Sequence, residues 1–109
     1  MNEKDRQQSF SEYLDKAKEN KLFVRFVFTP DFKEVEEFAV VYIAIIREKS
    51  FETMRYDCSS KEAVNVHQFF YRKPEKRYLN KEKCFETLQE FIEDIRRNWI
   101  HYRQKFLER

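Results

Sequence analysis

The longest regular hydrophobic pattern in the chain lies between Asn80 and Arg109. Apolar residues recur there at steps of three and four, which is the spacing of one face of an α-helix. They are Cys84, Leu88, Phe91, Ile92, Ile95, Trp99, Tyr102 and Phe106. The pattern predicts a helix from Lys81 to Glu108, with Asn80 as its N-cap and with an apolar face that can cover a β-sheet.

Four segments in the middle of the chain have the pattern of β-strands. Segments 22–28, 51–57 and 65–72 are rich in β-branched and aromatic residues, which favour strands. Segment 38–46 is an uninterrupted apolar run, typical of a strand that is buried on both faces. Pro74 follows the last of these segments, and we expect the strand to end before it because proline cannot donate to a ladder.

The chain before these strands carries a different pattern. Residues 1–8 are polar, and we expect them to be frayed. Ser9 followed by Glu12 has the form of a capping box, and it predicts a short amphipathic helix that ends near Asn20. The chain contains no glycine, so we expect the turn at 47–50 to use ordinary negative φ values, in a type I turn or a longer loop.

These elements predict a single α+β domain over residues 1–109. The predicted architecture is a four-stranded antiparallel sheet in meander order, with the short N-terminal helix and the long C-terminal helix packed on one face. No apolar run approaches the length of a membrane span, and no secretory leader pattern is present, so we expect a cytoplasmic protein with reduced cysteines.

The amino-acid composition excludes some classes of function and leaves others open. Although 39% of the residues are charged, the net charge is only +2, so bulk electrostatics neither demand nor exclude a nucleic acid. The absence of glycine excludes a glycine-rich phosphate loop, and nucleotide-binding enzymes of that kind with it. No clustered metal-ligand spacing joins the cysteines and histidines, which are Cys58, His67, Cys84 and His101. We therefore expect no metal and no cofactor.

Polar side chains converge on the hairpin formed by the last two predicted strands. A simple hairpin places Arg55 opposite His67 and Asp57 opposite Asn65, and because strand side chains alternate, all four share one face. The segment MRYDCSSKEAVNVHQFF that carries them resembles the R-aromatic-D followed by H-x-H or x-x-H of small prokaryotic proteins that include TumE-type toxins of type II toxin-antitoxin modules.

The resemblance extends to the predicted C-terminal helix, where Asn98, Trp99 and Tyr102 match an Asn-Trp and a following Tyr. It spans residues 51–106, about half of the chain. It implies a metal-independent ribonuclease that a cognate antitoxin holds inactive.

Carried over by position, the resemblance implies that Arg55, Asp57 and His67 are catalytic. RNA cleavage without a metal needs one group to take the 2′-OH proton and another to protonate the leaving oxygen, and histidine suits both roles. Asn65 stands where the family often has a first histidine, so either Asp57 or Tyr71 must supply the second group, or the activity has been lost. Arg55 would stabilise the charge of the phosphorane.

Basic residues interleaved with aromatic ones occur at 71–78 and at 96–105, and they predict an RNA track in which cations neutralise phosphates and aromatic rings stack on bases. The predicted RNA-binding residues are Asn65, Phe69, Tyr71, Arg72, Lys73, Arg96 and Arg97. A straight helix over 81–108 would span about 42 Å, longer than a compact domain of this size. We therefore expect its second half to protrude as a partner or RNA surface.

The competing interpretation is structural. Arg55 and Asp57 would form a surface ion pair, His67 would stack on Phe69, and the basic stretches would be solvated faces. The missing second histidine and the abundance of aromatic residues favour this interpretation. The protein would then be a non-enzymatic interaction protein, either a homo-oligomer or a subunit of a complex.

Overall fold

An antiparallel β-sheet forms the frame of the protein in a computed structural model that describes residues 3–70 and 73–109. Within these residues the sheet has six strands, and their spatial order follows their order in the sequence. The strands are β1 (Gln7–Tyr13), β2 (Asn20–Phe28), β3 (Val35–Ile46), β4 (Lys49–Cys58), β5 (Asn65–Gln68) and β6 (Glu75–Tyr78). A 3-10 turn at Glu3–Arg6 precedes β1, within the segment expected to be frayed, and the helix α1 (Phe85–Glu108) ends the chain.

The predicted meander order is that of the structure, but the prediction of four strands and an N-terminal helix is wrong. The segment from Ser9 to Tyr13 belongs to β1, where Ser9 lies opposite Arg25. Glu12, which the capping-box pattern assigned to a helix, instead binds Arg96 of α1. The cause is tertiary: the apolar β2 offers a ladder partner, and its pairing outweighs a weak local helix signal.

The last predicted strand, 65–72, is shorter in the structure, and a further strand that was not predicted follows it. β5 ends at Gln68, and the chain returns as β6, so that Lys76 lies opposite His67 and Tyr78 opposite Asn65. The sequence did not predict β6 because all four of its residues are exposed, and an edge strand without a buried side shows no hydrophobic alternation.

The turn between β3 and β4 also differs from the prediction. Arg47 and Glu48 have φ values of 51° and 67°, so both lie in the left-handed region. The prediction of ordinary negative φ values is therefore wrong. Two consecutive residues with positive φ match the right-handed twist of a tight hairpin, and this match outweighs the steric cost of two side chains that glycine would avoid.

The helix α1 packs on one face of the sheet, against β2, β3 and β4. Its aromatic contacts run along its whole length: Phe91 stacks on Tyr56 with ring centroids 4.0 Å apart, Trp99 meets Tyr42 at 6.5 Å, and Phe106 is buried. The prediction that the second half protrudes is wrong. The domain measures 44 × 29 × 21 Å, so a helix of 24 residues, about 36 Å long, fits along its long axis.

The N-terminus of α1 is capped from a distance. Cys84, not the predicted Asn80, occupies the N-cap position, and its side chain makes no capping hydrogen bond. The backbone N–H of Phe85 donates to Oε1 of Glu34, which lies in the loop between β2 and β3, at 2.7 Å. A carboxylate at this end also complements the helix dipole. Among the described residues, no helix combines the length and the apolar character that a membrane span requires.

Candidate functional site

The hairpin of β4 and β5 has the register predicted from the sequence. Arg55 lies opposite His67, and Asp57 lies opposite Asn65. Alternation along the strands puts these residues on the face of the sheet that is turned away from α1, whereas Tyr56 packs on the helix. The cluster therefore lies on the face that α1 does not cover.

Arg55, Asp57 and His67 form a compact charged cluster. Nε of Arg55 lies 3.1 Å from Oδ2 of Asp57, and Nε2 of His67 lies 3.8 Å from the same oxygen. Nε of Arg55 is also 3.1 Å from Oε1 of Glu52, so the guanidinium sits between two carboxylates. The side chains of Arg55, Asp57 and His67 are 34%, 24% and 22% exposed, so a ligand in solvent can reach all three.

The charge contacts of Arg55 are electrostatic rather than directed. Their angles leave Nε of Arg55 and Oε1 of Glu52 without a hydrogen bond within the described part of the chain. Both atoms are buried, so the exposed part of the Arg55 side chain does not include its Nε.

Neighbouring rings and charges extend the cluster. His67 stacks on Phe69 with ring centroids 6.0 Å apart and an interplanar angle of 14°, which fixes the plane of the imidazole. Lys76, opposite His67, forms an ion pair with Glu62 and lies over the ring of Tyr78 at 5.2 Å. That ion pair lowers the pKa of Glu62 and raises the pKa of Lys76.

Asn65 has a structural role. Its side chain is fully buried, and its Nδ2 donates to the backbone oxygens of Asp57, at 3.2 Å, and of Ala63, at 2.9 Å. These bonds hold the end of the β4–β5 hairpin together. The buried amide cannot reach an RNA that lies on the surface, which separates Asn65 from the other predicted RNA-binding residues.

The remaining predicted RNA-binding residues do not form one track. Tyr71 and Arg72 lie outside the described residues, and Lys73 is exposed close to them in the chain. Arg96 and Arg97 belong to α1, and α1 covers the opposite face of the sheet from His67. The structure thus brings Arg55, Asp57, His67 and Phe69 together and separates them from the helix arginines.

The two helix arginines differ in how far their charge is compensated. Arg96 binds Glu12 at 2.6 Å and Glu93 at 2.9 Å, and these bonds raise its pKa. Two carboxylates beside Arg96 weaken its attraction for a phosphate. Arg97 is 78% exposed and lies 3.9 Å from Glu93, so it keeps more of its charge for a ligand in solvent.

A second polar site, which was not among the sequence predictions, lies between α1 and β4. Oδ2 of Asp94 accepts hydrogen bonds from the hydroxyls of Tyr56, at 2.6 Å, and Tyr102, at 2.7 Å. Its Oδ1 accepts one from Asn98 at 2.8 Å. Burial first, and then the Asp94 carboxylate, raise the pKa of Tyr56 and of Tyr102. In the sequence, Asp94, Asn98 and Tyr102 stand four residues apart, a spacing that places side chains on one face of a helix. This spacing could have indicated the helical part of the network.

An open cleft of about 380 Å³ adjoins this network. It is lined by Tyr56, Glu90, Phe91, Glu93, Asp94, Arg97 and Asn98. Three of these residues are acids and one is a base, so the cleft disfavours an anionic ligand such as RNA. The cluster on the other face of the sheet is therefore the better candidate for chemistry on a phosphate.

The described part of the chain offers no candidate site for a metal ion. Residues 3–70 and 73–109 contain no group of three or more His, Cys, Asp and Glu side chains that could hold a metal ion. Cys58 and Cys84 are free cysteines, and burial raises the pKa of the Cys58 thiol.

Comparison with known proteins gives one positive result. The search of curated proteins and the search of solved structures find no match to this chain. The family model described as Domain of unknown function (DUF7718) matches residues 1–109. The match covers the whole chain, and the protein therefore belongs to the DUF7718 family.

Proposed function

We propose that the protein acts on RNA as a metal-independent ribonuclease of the toxin-antitoxin type, with Arg55, Asp57 and His67 as its catalytic residues. It would act in the cytoplasm and be held inactive by a cognate antitoxin. The observation that supports the proposal is the convergence of these three side chains within 3.8 Å on an uncovered sheet face. The resemblance of the same segment to TumE-type toxins supports the same activity.

His67 is the group that moves the proton. A nitrogen of its imidazole can accept a proton from the 2′-OH, a role for which histidine is the usual side chain. Asp57, 3.8 Å from Nε2, stabilises the imidazolium that results. Packing against Phe69 orients the imidazole ring beside this carboxylate. The 2′-oxygen attacks the phosphorus and the bond to the 5′-oxygen breaks; Tyr71, the other partner that the sequence leaves open, would give its proton to that oxygen.

The phosphate needs more positive charge than Arg55 alone supplies, because Glu52 and Asp57 lie beside it. Arg25 lies in the same row of the sheet, two strands from Asp57 through Ala39, about 10 Å away at the usual strand spacing. The described residues give it no ion pair, so its charge is available to the RNA backbone. Lys76 borders the cluster on the other side.

The first test is RNA cleavage by the purified protein, without its antitoxin and in the presence of a chelator. His67→Ala should lower the cleavage rate at least about 100-fold, since general acid-base catalysis contributes roughly that much or more. His101→Ala is the matched control, because His101 is exposed on α1 and lies away from the cluster. Wild-type activity in His67→Ala would refute the assignment.

The second candidate is a non-enzymatic subunit of a protein complex. Ile100 and Leu107, two helical turns apart on α1, are both more than half exposed, which is unusual for large aliphatic side chains close together on a surface. If this candidate is correct, the purified protein will not cleave RNA. In addition, Ile100→Ser with Leu107→Ser will abolish co-purification of a partner from the native source.

A further inference from the structure

The two edges of the sheet are protected to different degrees. β6 has four residues, three of them charged, and it follows Pro74, all of which discourage pairing with another strand. β1 has seven residues, QQSFSEY, which are exposed almost throughout and include neither a proline nor a basic residue. A long and weakly charged edge is a template for a further strand.

The direction of the backbone groups of β1 follows from its ladder with β2. The N–H of Leu14 donates to the carbonyl of Asn20 at 2.7 Å, in register with the β1–β2 pairing. In an antiparallel ladder such pairs alternate, so Gln8, Phe10 and Glu12 direct their N–H and C=O groups to β2. The residues between them direct theirs to the free edge; these are Gln7, Ser9, Ser11 and Tyr13.

We propose that the protein forms a homodimer by antiparallel pairing of the β1 strands of two copies, around a two-fold axis at Phe10. In this register Ser9 of one copy lies opposite Ser11 of the other, and Gln7 lies opposite Tyr13. All the outward N–H and C=O groups are then bonded, with about eight hydrogen bonds across the interface. The two sheets become one continuous sheet.

Charge and packing favour this register. Glu12, the charged residue of β1, lies opposite Gln8 of the other copy, so no like charges meet across the interface. The two Phe10 rings meet at the axis, where a non-hydrogen-bonded pair brings the Cα atoms to about 4.5 Å. Phe10 is 40% exposed in the single chain, and the second ring would cover it.

The elements beside β1 leave its edge open. α1 packs against β2, β3 and β4, and it reaches β1 through the contact between Arg96 and Glu12 on the face of the sheet. The turn before β1 is tied inward, because the side chain of Arg6 binds the carbonyl of Phe28 and the carboxylate of Glu36. A second strand can therefore approach along the whole of β1.

The register is tested by cross-linking the full-length protein. Phe10→Cys should form a disulfide-linked dimer under mild oxidation, because a Cα separation near 4.5 Å suits a disulfide. Gln8→Cys is the matched control: it lies on the same strand and face, but the two copies of position 8 are about 14 Å apart in this register. No cross-link at position 10, or equal cross-linking at both positions, would overturn the register.

Introduced charges test the dimer itself, by sedimentation across a range of concentrations. Ser9→Glu with Ser11→Glu places like charges opposite each other and should weaken the dimer at least about tenfold. Ser9→Glu with Ser11→Lys has the same number of substitutions but places opposite charges together, so it should remain dimeric.

Circular dichroism of both variants establishes that the fold is retained. A monomeric wild-type protein would overturn the proposal, as would a dimer that the two glutamates do not weaken. RNA cleavage is measured separately, so failure of the dimer leaves the proposed function standing.

Discussion

Asp94 holds α1 to the sheet through a single carboxylate. It accepts from Tyr56 of β4 and from Tyr102 two turns further along the helix, and both hydroxyls are partly buried. Because buried donors that lose their acceptor cost more than the net value of a hydrogen bond, this residue should matter more for stability than its polar character suggests.

Replacing Asp94 with alanine should lower the free energy of unfolding by about 2 kcal/mol or more, since it leaves two tyrosine hydroxyls without their acceptor. Gln89→Ala is the matched control, because Gln89 is an exposed residue of the same helix. Urea denaturation monitored by circular dichroism measures both. An Asp94→Ala protein as stable as the control would mean that water satisfies the two hydroxyls equally well.

The Asp94 network and the Arg55 cluster show which parts of a site a sequence reveals. Arg55, Asp57 and His67 could be placed together because alternation within a strand and a short hairpin loop fix their neighbours locally. Glu52 also joins the cluster through a β-bulge near Thr53, which shifts the β3–β4 register and has no signal in the sequence. Asp94 meets Tyr56 only through the packing of α1 on β4.

At the scale of elements, the β3–β4 hairpin stores conformational strain. Arg47 and Glu48 both have positive φ, a conformation that costs a residue with a side chain roughly 1 kcal/mol or more. Glycine adopts this conformation without the steric penalty, although it gains entropy in the unfolded chain. The hairpin is therefore a position where glycine should stabilise the fold.

Glu48→Gly should raise the free energy of unfolding by up to about 1 kcal/mol, as the relief of the positive φ exceeds the entropic cost. Lys49→Gly, one position later in the exposed start of β4, should instead lower it, because strand residues gain nothing from glycine. Thermal unfolding of the two variants compares them directly. If both substitutions destabilise equally, the turn is not strained.

The edge strands β1 and β6 were the elements hardest to predict from the sequence. Both are edge strands with few buried residues, so neither shows the alternation that made β2 to β4 predictable. In β1 the residues Ser9 and Glu12 even match a helix-start pattern. What decides the conformation is the partner strand, and β2 is seven residues away along the chain from the end of β1.

At the scale of the whole molecule, tyrosine is distributed unevenly between surface and interior. Tyr42 is fully buried against Asn20 and Trp99, and burial raises its pKa to about 12. Burial also raises the pKa of Tyr56 and of Tyr102. Tyr78, in contrast, is 61% exposed. Because these phenols are buried, the free energy of unfolding should depend on pH in the alkaline range.

The free energy of unfolding should therefore fall as the pH rises above about 10. Below this pH the phenols are protonated in both states and contribute no dependence. Above it the unfolded chain loses protons that the folded protein retains, so the unfolded state binds fewer protons and is favoured. Tyr42 alone contributes a slope of up to about 1.4 kcal/mol per pH unit until the pH reaches its folded pKa of about 12.

Urea denaturation at a series of pH values from about 8 to about 11 measures this slope. Tyr42→Phe removes the most deeply buried phenol and should reduce the slope, whereas Tyr78→Phe removes an exposed one and should keep the wild-type slope. Stability that stays constant to pH 11 or so would mean that the buried hydroxyls ionise as readily in the folded protein as in the unfolded chain.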